Sequence, residues 1–141
     1  MHQTIKKIKI IIVDDHQMIR ETWKMILQQN ELFEIVFDCA SGAEAIIAAQ
    51  EYKPDIMLMD INMAPVNGFE ATRKISKLVP STKIIGVSIN NQPTYARNMI
   101  QLGAKGFVTK NSSQQEMIKA IIEVYNGGNY ICNEIKEKME N

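Results

Sequence analysis

Five polar side chains each stand at the end of a short apolar run. Asp14 and Asp15 follow IKIIIV, Asp60 follows DIMLM, Ser88 follows KIIGV and Lys110 follows KGFVT. Gathered in one place, three carboxylates repel each other, so that either one keeps its proton or a cation neutralises them. Oxygen ligands with no His or Cys among them select a hard cation such as Mg²⁺, which keeps several waters and takes a substrate phosphate oxygen. An Asp beside such a cation and a Lys can act as nucleophile toward phosphorus and form an aspartyl phosphate. The cation and Lys110 would neutralise charge on the phosphoryl oxygens, which is most of what phosphoryl transfer asks of a protein. The Ser88 hydroxyl can donate a hydrogen bond to one of those oxygens.

Taken singly, each residue has a plainer reading. An Asp before a helix is usually a cap, and a lone Asp or Lys after a strand is a solvated loop charge. The set acquires meaning only if the fold collects it, so the elements decide. The runs at 8–13, 33–38, 55–59, 83–87 and 105–109 are rich in Ile, Val and Phe and read as strands, several of them apolar throughout, as in parallel sheets covered on both faces. Amphipathic segments lie between them, at 16–29, 42–52, 68–78, 93–101 and 114–126. Ser41 with Glu44 and Ser113 with Glu116 have capping-box spacing. Pro93 opens one helix, and Gly103 or Gly127-Gly128 closes others. The order is β-α five times over. It predicts an α/β fold with a doubly wound, five-stranded parallel sheet, right-handed crossovers and helices on both faces. In such a sheet ligands bind beyond the carboxyl ends of the strands, and that is where all five residues fall.

Composition narrows the classes further. The 141 residues include 45% apolar and 23% charged, ordinary for a globular chain, with 16 basic against 16 acidic residues. No net field draws the chain to nucleic acid or an anionic membrane. No apolar run approaches the roughly 20 residues of a membrane span. The lysines and apolar run at the start lead into two aspartates, unlike a secretory signal. Cys39 and Cys132 fit no metal or redox spacing, so reduced thiols and a cytoplasmic location are expected.

IIVDD, LMDINM with NG following, the strand end VS, and GFVTK together make the chain resemble the receiver domain of a two-component response regulator, over about residues 8–128. The DDH opening and the late NGGNYI are similar to the NarL/LuxR-type subfamily. The resemblance implies the (βα)5 flavodoxin-like receiver fold with strand order 2-1-3-4-5, and a role for each position. Asp60 would be the phosphoacceptor for a histidine kinase. Asp15, Asp60 and the backbone carbonyl of Asn62 would ligate Mg²⁺, with Asp14 acting through water. Lys110 would contact the phosphoryl group and pair with Asp60 in its absence. Ser88 would be the switch hydroxyl and Phe107 the switch aromatic, a position where a plain core residue is the competing reading. Such a protein is no enzyme beyond its own phosphorylation and dephosphorylation. Dimerisation on phosphorylation and control of transcription through a C-terminal DNA-binding domain would follow, and this chain would not itself bind DNA.

Three departures from the family pattern stand out. Pro65 lies one position late in the loop after Asp60, Asn111 replaces a proline after Lys110, and bulky Ile89 follows Ser88. Residues 1–128 read as the receiver, and 129–141 as a tail, either a short helix or the start of a linker to an output domain. In the first helix, Ile19, Trp23 and Ile26 are expected to face the sheet and Met18 and Met25 to face outward, as a docking patch for the kinase. A phosphate-independent interaction module of the same fold is the alternative, although receivers of that kind usually lose part of the acidic pocket. A haloacid-dehalogenase-type phosphatase needs a second Asp where Asn62 stands, and a flavodoxin needs a hydroxyl-rich loop where DDHQ is acidic.

Overall fold

A computed structural model describes residues 6–63 and 67–140. Pro65 and the question of its loop lie outside the described residues.

Each predicted strand forms within a residue or two of its expected limits. They are β1 (Ile8–Val13), β2 (Phe33–Cys39), β3 (Ile56–Asp60), β4 (Lys83–Ser88) and β5 (Gly106–Thr109). The helices between and after them are α1 (Gln17–Gln28), α2 (Gly42–Tyr52), α3 (Gly68–Leu78), α4 (Pro93–Gln101) and α5 (Gln114–Tyr125). All neighbouring strands pair in parallel, in the order β2-β1-β3-β4-β5, and helices cover both faces. Every residue of β3 is buried, as are all residues of β1 except Lys9. This two-sided burial is what the continuous apolar runs encode. Cys39 and Cys132 are free and buried, and burial pushes the Cys39 thiol up to about 12. It is an inert core thiol.

The sheet is larger than expected. Tyr130–Ile131 form a sixth strand, β6, parallel to β5, and Asn133–Met139 form a helix, α6. Two residues carry no strand periodicity, so the sequence could not show β6. Its hydrogen bonds run from Tyr130 N–H to the Lys105 carbonyl and from Cys132 N–H to the Phe107 carbonyl. Ile135 of α6 is fully buried. The capping serines behave as their spacing predicts: Ser41 Oγ accepts from Glu44 N–H and Ser113 Oγ from Glu116 N–H. The Glu116 carboxylate does not turn back to its own cap. It accepts instead from Tyr130 Oη and Asn133 N–H, both at 2.9 Å, and so ties α5 to the junction of β6 and α6.

Strand register aligns the strand ends. Val13 pairs with Met59, Asp60 with Val87 and Ser88 with Thr109. The residues that end or follow these strands therefore open onto one rim. Two glycines permit close approaches there. A Cβ on Gly68, the first residue of α3, would lie 2.3 Å from the Asp60 carbonyl oxygen, so only glycine lets α3 start against the end of β3. A Cβ on Gly86 would lie 2.7 Å from the Phe107 ring, which fills that space at 0% exposure.

Candidate functional site

The rim holds an acidic cluster. One ligand atom from each of Asp14, Asp15, His16 and Asp60 lies within 4.8 Å of the others. Asp14 and Asp60 are 3% and 1% exposed, whereas Asp15 stands at the surface. Asp14 also closes a local turn: its Oδ1 accepts from the His16 backbone N–H at 2.9 Å. His16 Nδ1 lies 2.9 Å from Asp15 Oδ1 and 3.1 Å from Asp14 Oδ1. His16 was absent from the ligand set read from the sequence. Its position directly after the acidic pair was the available signal, and the imidazole stands at the exposed edge of the carboxylates.

Lys110 enters from the end of β5. Its Nζ is 2.8 Å from Asp14 Oδ2 and 3.5 Å from Asp60 Oδ2, so it is shared and lies nearer Asp14. Asp60 Oδ1 accepts from the Asn62 N–H at 3.1 Å, while Asp60 Oδ2 is buried without a hydrogen-bond partner among the described residues. Burial is the largest influence on the Asp60 carboxyl and pushes its pKa above the ordinary carboxylate range. The Asn62 N–H opposes this, and the Asp14 charge pushes the same way as burial.

Ser88 is fully buried at the end of β4, and its Oγ accepts from Asn90 N–H at 2.9 Å. Its carbonyl accepts from the Lys110 N–H at 2.8 Å, so Ser88 and Lys110 are fixed to each other through the backbone. Ile89 is 70% exposed, which places its bulk at the surface and not in the core of the site. Phe107 lies inward, packed against Gly86.

Arg20, which sequence reasoning passed over, braces the loop that carries the aspartates. Its Nη1 donates to the Asp14 carbonyl at 2.7 Å and its Nε to Asp38 Oδ2 at 3.0 Å, with Lys24 on the other Asp38 oxygen. Burial pushes the Asp38 carboxyl up, but hydrogen bonds from Lys24 and Arg20 outweigh it and hold the group below its usual range.

The first helix departs partly from expectation. Met18 and Met25 do face outward, at 79% and 63% exposure. Ile19, Trp23 and Ile26 are only half-buried. With Met18 and Thr22 they line an open groove of about 530 Å³ whose far wall is Lys110, Ser112, Ser113 and Gln114. The stripe is wider than the sheet can cover, so part of it borders the rim.

The donor set suits a hard divalent cation, since three carboxylates converge and one of them leaves a buried oxygen without a partner. A doubly wound sheet with this acidic rim and a lysine from the last long strand defines a phosphoacceptor-type domain. The chain belongs to the response regulator receiver domain family, which matches residues 10–122. It is 41% identical over 125 residues to the transcriptional regulatory protein DegU of Brevibacillus brevis, covering 89% of this chain and 53% of that protein. It is 37% identical over 134 residues to the oxygen regulatory protein NreC of Staphylococcus epidermidis, covering 94% of this chain and 62% of that one. The chain thus spans between about half and two thirds of these relatives' lengths. Among solved structures, a LuxR-family two-component response regulator from Aurantimonas sp. SI85-9A1 superposes with a TM-score of 0.89 at 28% identity, covering 96% of this chain and all of that one. The signal receiver domain of the response regulator NarL from Mycobacterium tuberculosis gives 0.83 at 25%, covering 86% and 98%. These likenesses mark a receiver of the NarL/LuxR type. Among the described residues, no helix is long and apolar enough to cross a membrane.

Proposed function

We propose that Asp60 accepts a phosphoryl group from the phosphohistidine of a sensor kinase and that the domain switches conformation in response. The observation that carries this reading is Asp60 Oδ2, buried and without a hydrogen bond among the described residues, with the Lys110 ammonium 3.5 Å away and Asp14 and Asp15 on the same rim. An oxygen left without a donor is a nucleophile that need not first break a hydrogen bond. It would attack phosphorus in line, forming the O–P bond as the P–N bond to the kinase imidazole breaks, with the electron pair leaving on that nitrogen. Lys110 neutralises charge arriving on the phosphoryl oxygens, and Ser88 offers its hydroxyl to one of them. Asp14, Asp15, Asp60 and the Asn62 carbonyl would hold Mg²⁺, which supplies further charge neutralisation when bound. Phe107 would follow Ser88 by moving between inward and outward packing.

In this reading residues 1–128 are the switch and 129–141 lead toward an output. The name of the relative DegU suggests transcription as that output, exerted through a DNA-binding domain outside these residues. The balanced charge of this chain supports no direct DNA binding. Homodimerisation on phosphorylation, a cytoplasmic location, and no catalysis beyond the domain's own phosphorylation and dephosphorylation complete the proposal. Acetyl phosphate with Mg²⁺ is expected to add one phosphoryl group to the intact protein, seen by mass spectrometry, and excess EDTA to prevent it. Addition that proceeds equally well in EDTA would overturn the metal assignment, and no addition under either condition would overturn the phosphoacceptor reading.

The α1 groove supports docking of the kinase. Met18 lines it and Met25 is exposed further along the same helix, and flexible exposed methionines adapt to a partner's apolar face. Changing both to Gln is expected to slow transfer from the kinase by about tenfold, equivalent to roughly 1.4 kcal/mol of lost apolar contact. Labelling by acetyl phosphate should stay unchanged. Equal kinase transfer in the variant would show that the partner sits elsewhere.

A further inference from the structure

The last helix is joined to the phosphoacceptor rim by one carboxylate. Glu134 of α6 accepts from Thr109 Oγ1 through Oε1 and from Asn91 Nδ2 through Oε2, both at 2.8 Å. Thr109 is 1% exposed, pairs with Ser88 across the β4–β5 ladder and directly precedes Lys110. Asn91 lies in the β4–α4 loop, next to Asn90, whose N–H is held by Ser88 Oγ. Both arms of Glu134 therefore end one step from Ser88. The two donors, Asn91 first, hold the Glu134 carboxyl below its usual range, consistent with bonds made to its ionised form.

We propose that Glu134 latches the 130–139 segment across the end of β5 and the β4–α4 loop in the unphosphorylated protein, and that phosphorylation of Asp60 opens this latch. The inference rests on Asp60 being the phosphoacceptor. If the Ser88 hydroxyl turns toward a phosphoryl group on Asp60, Ser88 Oγ leaves the Asn90 N–H. The 89–92 loop then loses the bond that fixes it, and the Asn91 amide moves off Glu134. Glu134 then keeps one protein donor of its two, the Thr109 hydroxyl. β6 keeps its ladder to β5 and Ile135 keeps its burial, so opening frees the Glu134 side chain and loosens the turns of α6 around it without detaching the segment. What loosens is this chain's own C-terminal helix.

Coupling of this kind is reciprocal. If the phosphoryl group weakens the latch, removing the latch must favour the phosphorylated state by the same factor. Hydrogen exchange on the full chain tests the first half. Beryllofluoride with Mg²⁺ is expected to speed exchange in residues 133–139 by about tenfold, with loss of protection in residues 89–92. Glu134→Ala, which keeps helix propensity, should show the fast exchange without beryllofluoride. It should also bind beryllofluoride about tenfold tighter, read from the fluorescence of Trp23, the one tryptophan. Thr109→Val cuts the other arm and should move both readouts the same way. Protection of 133–139 that is unchanged while 89–92 responds would overturn the latch alone. If neither segment responds and acetyl phosphate leaves the mass unaltered, the phosphoacceptor reading fails and the latch with it.

Discussion

Asp60→Asn is expected to lose all labelling by acetyl phosphate while melting at a higher temperature than the parent. The loss follows from chemistry, because an amide oxygen forms no stable phosphoryl ester and, among the described carboxylates of the rim, Asp60 is the one with a buried oxygen free of hydrogen bonds. The gain follows from the charge it removes. Burial, aided by Asp14, raises the Asp60 pKa in the folded state. A folded state that binds the proton more tightly than the unfolded chain loses stability as pH rises from the unfolded value, about 3.9, through the raised folded value. Above the raised pKa the full loss is present, and the Asn variant escapes it. The expected gain is roughly 1 kcal/mol, the scale of a buried polar atom left without a partner, or about 4 °C in Tm for a domain of this size. The difference should shrink as pH falls through the raised pKa, because both proteins are then neutral at this position. Thermal melts at pH 7 and pH 4 check it. A variant less stable than the parent at pH 7 would show that the Asp60 charge is satisfied in the fold.

Lys110→Ala is expected to act in the opposite sense on stability. It removes the cation that contacts Asp14 at 2.8 Å and Asp60 at 3.5 Å, and both carboxylates are nearly fully buried. Breaking a buried pair by deleting one partner costs about 3–5 kcal/mol, since the remaining charge has no water to turn to. Labelling by acetyl phosphate should fall by about a hundredfold, the scale of losing one charge-stabilising group in a closed site. Magnesium should raise the Tm of this variant more than that of the parent, because the metal takes over neutralisation that Lys110 otherwise shares. Equal magnesium effects in both proteins would place the ion away from these carboxylates.

The rim was legible in the sequence for a physical reason. Parallel strands buried on both faces are written as uninterrupted apolar runs, and right-handed crossovers force their carboxyl ends to one side. Asp14, Asp15, Asp60, Ser88 and Lys110 could be placed together without knowing one distance. Ser41 and Ser113 were legible because a cap is a contact between residues three apart.

The sequence by itself thus determined the element order, the sheet and the acidic composition of its rim, because each depends on local periodicity or on a topological rule. Tertiary structure alone decided how the charged groups divide their partners. Lys110 lies nearer Asp14 than Asp60, His16 joins the cluster, and Arg20 braces the Asp14 carbonyl from a helix turn away. It also decided that Tyr130–Ile131 extend the sheet, that Glu116 of α5 reaches β6 and α6, and that Glu134 of α6 reaches β5 and the β4–α4 loop. These are long-range choices among many possible donors and acceptors. They follow from side-chain reach and burial in the finished fold, which no spacing along the chain records.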